Sequence, residues 1–155
     1  MERLGGKIDI RKFLPHRPPF LLVSDMPFID DESVITEFHI PEDCVFVKNG
    51  HFSETGLLEN AAQTSSAIVG QSYYRVDDFE ATSNDLVGYI SAIKKAFIHQ
   101  LPQVGDTLVS KAKLVSRYDG ADLSICTIDC TSFRNGDLIV DCRLNFLIHE
   151  VDAKL

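Results

Sequence analysis

A chain of 155 residues, 45% hydrophobic and 25% charged, has enough apolar material for one globular core and too little length for two, so a single folded unit over residues 1–155 is expected. Fifteen Lys and Arg against twenty-three Asp and Glu give a formal charge of −8, which excludes the basic field a phosphate backbone demands and with it nucleic acid as a partner. No charge-free run approaches the roughly 20 residues of a membrane-spanning helix, and Met1 to Asp9 lacks the apolar core of a signal peptide. The expected setting is the cytoplasm.

Ile10 to Leu14 predicts a short helix closed by Pro15, because proline disfavours helical geometry in the residue before it. Pro15 to Pro19 then forces an extended or turning path, and Phe20-Leu21-Leu22-Val23 reads as the start of a strand. Ser33 to Ile40 alternates apolar and polar with a period of two, as a half-buried strand does, with Asp30-Asp31-Glu32 as the turn before it. From Gly56 to about Tyr74 the period becomes helical. Leu58, Ala61, Ala62, Ser65, Ile68 and Val69 fall on one stripe, whose small residues let a sheet approach closely, and Ser53 or Thr55 is the N-cap.

After a polar loop come strand-like runs at Val87 to His99, Thr107 to Tyr118, Leu123 to Phe133 and Leu138 to His149. The breaks between them are Pro102 to Asp106, Asp119-Gly120, and Asn135-Gly136, the last a type I′ hairpin signal. One long helix and a meander of strands give an α+β class: an antiparallel sheet of five to six strands wrapped around a central helix, the hot-dog architecture.

Cys44, Cys126, Cys130 and Cys142 form no C-x-x-C pair and no metal-ligand spacing with histidine, so reduced buried thiols are expected and neither metal nor cofactor is required. Cys126 and Cys130 share a strand face with a residue between them, a poor geometry for a disulfide. His39, His99 and His149 read as incidental, and no trio of residues suggests a metal site.

Gly50-His51-Phe52, followed by Glu59 in the helix-opening run Gly56-Leu57-Leu58-Glu59-Asn60-Ala61-Ala62-Gln63, pairs a base with an acid. Across an apolar slot, such a pair can take a proton from one carbon and protonate a hydroxyl leaving the next, which is a dehydration. The two need opposite protonation states: with reference values of about 6.5 and 4.3, the glutamate must be desolvated to stay protonated, against the pull of the helix N-terminus. Amides near Gly56 and Leu57, at the helix start, are candidates for holding a developing oxyanion. Phe52 and Leu57 are candidate slot walls, and Gln63, one turn beyond Glu59, is a candidate for orienting its carboxyl.

Leu14-Pro15-His16-Arg17-Pro18-Pro19-Phe20-Leu21-Leu22-Val23, Asn49-Gly50-His51-Phe52 and Glu59-Asn60-Ala61-Ala62-Gln63, with the weaker stretch Gly88 to Asp106, resemble the 3-hydroxyacyl-acyl-carrier-protein dehydratases, including the hydroxymyristoyl type. The resemblance implies His51 as base, Glu59 as acid, and a dimer or higher oligomer in which one subunit's histidine works with its partner's acid on an acyl chain carried by acyl carrier protein. The family's loop usually runs Gly-His-Phe-Pro-x-His-Pro-x-x-Pro-Gly. Here Gly50-His51-Phe52-Ser53-Glu54-Thr55-Gly56 reaches the acid sooner, without the second histidine or the prolines. His16 and Arg17 are expected to tie the proline turn to the sheet. Two other readings stand beside the dehydratase: a non-catalytic hot-dog partner subunit, which the shortened loop favours, and an acyl-thioester hydrolase.

Overall fold

The computed structural model describes residues 8–70 and 86–150. The polar loop after the helix, the helix's expected last turn to Tyr74 and the C-terminal tail lie outside them. In chain order come a 3-10 turn (Ile10–Lys12), strands β1 (Asp25–Ile29), β2 (Ser33–His39), β3 (Val47–Lys48) and β4 (His51–Phe52), and helix α1 (Glu54–Gly70). Strands β5 (Leu86–Ile98), β6 (Thr107–Asp119), β7 (Leu123–Arg134) and β8 (Asp137–Glu150) follow. Six strands form one antiparallel sheet in the order β1-β2-β6-β7-β8-β5, while β3 and β4 make a separate hairpin. The long helix packs on one face of this sheet, against β2, β6 and β7 above all. This is the expected hot-dog arrangement.

The sheet faces α1 with alternate residues. Val34, Thr36 and Phe38 of β2, Cys126, Ile128 and Cys130 of β7, and Cys142, Leu144 and Phe146 of β8 are buried, as a period of two requires of a sheet covered on one side. The chain reverses at Asn135 (φ 51°) and Gly136 (φ 83°), both left-handed as a type I′ turn demands. The Asp30 carboxylate accepts from the amides of Glu32 (2.9 Å) and Ser33 (2.7 Å), which closes the first hairpin.

The first strand starts five residues later than predicted. Phe20 to Val23 forms no ladder, and pairing begins only at Asp25. The reason is competition for backbone groups: the Leu22 amide donates to Gln63 Oε1 (2.8 Å), the Leu22 carbonyl accepts from Asn60 Nδ2 (2.8 Å), and the Phe20 carbonyl accepts from Gln63 Nε2 (2.7 Å). With those groups engaged by helix side chains, they are not free to join a ladder. The Phe20 and Leu21 amides both donate to the Arg17 carbonyl, turning the chain just after the cis Pro18-Pro19 bond.

Helix α1 is buried nearly all round rather than along one stripe. Its polar residues Asn60, Gln63, Thr64 and Ser65 are inside, whereas Leu58 is only half-buried. Burying amides and hydroxyls is costly unless they are bonded, and of these four all but the Ser65 hydroxyl, which lies against the Cys130 thiol, are bonded. Thr64 meets the Thr36 hydroxyl at 2.7 Å. Asn60 Oδ1 accepts from the Ser110 hydroxyl at 2.7 Å, so the Ser132 hydroxyl, 2.8 Å from Ser110, must be the donor of that pair.

The cysteines are free thiols, three of them buried. Cys126 and Cys130 do share a face of β7, but the sulfur neighbour of Cys130 is Cys142, its direct partner across the β7–β8 ladder. The hydrogen bond with Cys142, and burial, push the Cys130 thiol well above its usual range, the condition of an inert thiol.

Candidate active site

His51 sits at the start of β4, just after a tight turn. Lys48 pairs with His51 and Val47 with Phe52 around Asn49 (φ 53°) and Gly50 (φ 77°), a second Asn-Gly reversal. The hairpin leans on the Pro102 to Asp106 turn: the Phe52 amide donates to the Pro102 carbonyl (2.8 Å) and the Val104 amide to the Gly50 carbonyl (3.0 Å). The ring of His51 is half-buried, with Nδ1 3.1 Å from the Asn49 carbonyl oxygen. A carbonyl only accepts, so Nδ1 must carry the hydrogen, which leaves the lone pair on Nε2. A neutral imidazole in that tautomer is a base.

One residue separates β4 from α1, and it is the cap. The Ser53 hydroxyl accepts from the Gly56 amide (3.2 Å) and the Ser53 carbonyl from the Leu57 amide (2.9 Å). The amides of Gly56 and Leu57 are therefore occupied, and the oxyanion role expected for them is not available in this arrangement. Gly56 has a packing reason to be glycine: a Cβ there would lie 2.7 Å from both Phe46 Cβ and the Phe52 ring. Leu57 and Phe52 have no exposed surface, and Phe52 packs on Phe38 with ring centroids 5.5 Å apart. In this chain both are core.

Glu59 projects from the second turn of α1 with its side chain 38% exposed, so one chain alone does not supply the enclosure that an acid of this kind requires. Its carboxyl is nevertheless held. Gln63 Nε2 donates to Glu59 Oε1 at 2.9 Å. The orientation of that amide is fixed independently, because Gln63 Oε1 is committed to the Leu22 amide. Oε1 of Glu59 thus faces a donor, and a proton on the carboxyl belongs on Oε2.

The imidazole nearest to Glu59 in this chain is that of His16, with Nε2 3.9 Å from Oε1. His51 lies instead on the hairpin. Burial lowers the basicity of His16, with Glu59 opposing and Arg17 reinforcing that effect. His16 Nδ1 is buried with no hydrogen-bond partner. Arg17, expected beside His16 as a tie to the sheet, closes its own turn by donating Nη1 to the Leu14 and His16 carbonyls, each at 2.8 Å. Sequence reasoning missed the place of His16 beside Glu59, although the residue stood in the most specific motif. It also missed Asn49, whose signal was the Asn-Gly dipeptide.

Among the described residues one group gathers possible metal ligands, Asp25, Glu37 and His39, with ligand atoms within 4.8 Å. The sequence suggested no such trio. Asp25 and Glu37 are partners across the β1–β2 ladder, and His39 Nε2 lies 3.6 Å from Asp25 Oδ2.

A family model described as ApeP-like, ApeP dehydratase, matches residues 8–154. Similar curated proteins are 3-hydroxyacyl-[acyl-carrier-protein] dehydratases FabZ. That of Sulfurovum sp. (strain NBC37-1) is 27% identical over 91% of this chain and 95% of its own. That of Acinetobacter baumannii is 28% identical over 76% and 81%. Among solved structures, the dehydratase heterocomplex ApeI:P from Xenorhabdus doucetiae superposes with a TM-score of 0.74 at 16% identity, covering 94% of this chain and 93% of that one. A hypothetical thioesterase with coenzyme A from Streptococcus pneumoniae TIGR4 reaches 0.59 at 12% identity, over 81% and 85%. The structural likenesses carry the fold alone; the family match, which spans nearly the whole sequence, shows that the chain belongs to the ApeP-like dehydratases.

Proposed function

We propose that the protein removes water from 3-hydroxyacyl thioesters borne on acyl carrier protein, giving the 2-enoyl thioester. The observation that carries this reading is the tautomer of His51: with Nδ1–H spent on the Asn49 carbonyl, Nε2 is free to take the proton from the carbon beside the thioester. Glu59, its Oε1 held by Gln63, gives the proton on Oε2 to the departing hydroxyl. Carrier-protein substrates are what the FabZ relatives' names specify.

His51 on β4 and Glu59 on α1 make no contact with each other within the chain, each holding other partners, and a second subunit joins them in this reading. Among the described residues strand β5 ends the sheet, paired only with β8, and exposes Tyr89, Ile93 and Phe97 (47, 49 and 56%). An apolar edge of this kind is a template for another strand. Pairing of two β5 strands would extend the sheet across a twofold axis and bring each histidine towards its partner's acid. Because a similar solved structure is a heterocomplex, a sister hot-dog chain is the second reading of that partner. Ile93→Lys, a charge on the edge, is expected to leave secondary structure intact while producing monomers without turnover. Sedimentation and product assays together check this, and an active Ile93→Lys monomer would exclude the shared site.

The direct test is product identity. Incubated with a 3-hydroxyacyl carrier protein, the protein should yield the enoyl thioester; free acid would instead identify a hydrolase, and no product, with the carrier still bound, a binding subunit.

A further inference from the structure

We infer that His16 is a positioning residue for the acid: it shares one proton with Glu59 and delivers it to the carboxyl when an acyl chain fills the slot. This rests on the reading of Glu59 as acid. Three observations point to it. His16 Nε2 lies 3.9 Å from Glu59 Oε1, close enough for charge coupling and too far for a standing hydrogen bond. The other ring nitrogen, Nδ1, is buried with no partner, so an imidazolium would carry an unsatisfied buried N–H, and the cation is a poor resting place for the proton. The side chain retains 29% exposure, a route to solvent.

The charged groups facing His16 are Glu59 from α1, which favours the cation, and Arg17 beside it in the chain, which joins burial in disfavouring it; burial is the largest of the three effects. With water in the slot, His16 rests neutral beside the Glu59 carboxylate. When the substrate displaces that water, the lone carboxylate becomes costlier than a neutral acid, and a proton taken from solvent onto His16 Nε2 is passed to it. Once ring and carboxyl close the 3.9 Å gap, the N–H bond at His16 Nε2 breaks and an O–H bond forms on Glu59 Oε2, the oxygen that Gln63 leaves unbonded. Glu59 then protonates the leaving hydroxyl, which departs as water, while the proton taken by His51 returns to solvent after product release. One proton enters at His16 and one leaves at His51 in each turnover, so the cycle balances. A half-exposed glutamate is in this way protonated at the moment it is needed.

The test is chemical rescue in the full-length protein. His16→Gln, which keeps a donor of similar reach but carries no proton, should lower kcat by roughly 10- to 100-fold, with a deeper loss at pH 8.5 than at pH 6 as solvent protons become scarcer. His16→Ala should be similarly impaired and regain turnover saturably with added imidazole, but not with pyrazole, which has the same shape and is too weak a base to shuttle protons. Full activity in His16→Gln, equal losses at both pH values, or equal rescue by pyrazole would overturn the inference. Glu59→Gln separates its failure from that of the underlying reading: an inactive Glu59→Gln leaves Glu59 as the acid whatever His16 does, whereas wild-type turnover in Glu59→Gln removes both.

Discussion

Mixing His51→Ala protein with Glu59→Gln protein is expected to restore dehydration that neither shows alone. Each substitution removes one half of an acid–base pair and should lower kcat by roughly 10²–10⁴. Neither should loosen the fold: His51 is half-buried on a hairpin whose backbone bonds remain, and a glutamine at 59 still offers an oxygen to Gln63. If the site is built from one subunit's histidine and its partner's glutamate, a mixed dimer holds one intact pair and one doubly defective pair. Random exchange then returns about a quarter of the normal sites. Turnover after subunit exchange, followed as enoyl formation, measures this directly. Mixtures no better than their components would confine the reaction to a single chain, and full activity of either variant alone would remove that residue from the mechanism.

The second large effect concerns stability. Asn60→Ala is expected to destabilise the protein by about 2–4 kcal/mol, from the cavity and from the Leu22 carbonyl left without its donor. For a chain of this size that corresponds to a fall in Tm of about 5–15 °C. Ser110 would lose its acceptor on the helix but keep Ser132. Thermal unfolding checks the figure. A change within 1 °C would mean that the Asn60 bridge between helix, β6 and the Phe20–Leu22 segment contributes nothing net.

Local patterns carried the fold well. The alternation in β2 and β6 to β8, the helical period from Gly56 onward and the Asn135-Gly136 turn are short-range signals, and each element formed where its own residues called for it. Phe20 to Val23 went the other way, because its amides and carbonyls were claimed by Asn60 and Gln63, about forty residues along, and no window-based pattern registers such competition. The same distance hid His16 beside Glu59. His51 and Glu59 stood out by motif as candidates, but their surroundings did not: the tautomer depends on the Asn49 carbonyl, and the carboxyl's orientation on an amide that is itself pinned by Leu22. Gly56 looked like an oxyanion position because of its place at a helix start, and the two phenylalanine contacts that demand its missing side chain come from Phe46 and Phe52, which approach it only after folding.

Ser53 ends the strand that bears His51 and caps the helix that bears Glu59, so this joint has no slack. The segments that carry the histidine and the glutamate are consequently held at a set spacing within one chain. On the proposed reading, guests would be sorted by a mouth of preset shape rather than by a gate opening at this joint.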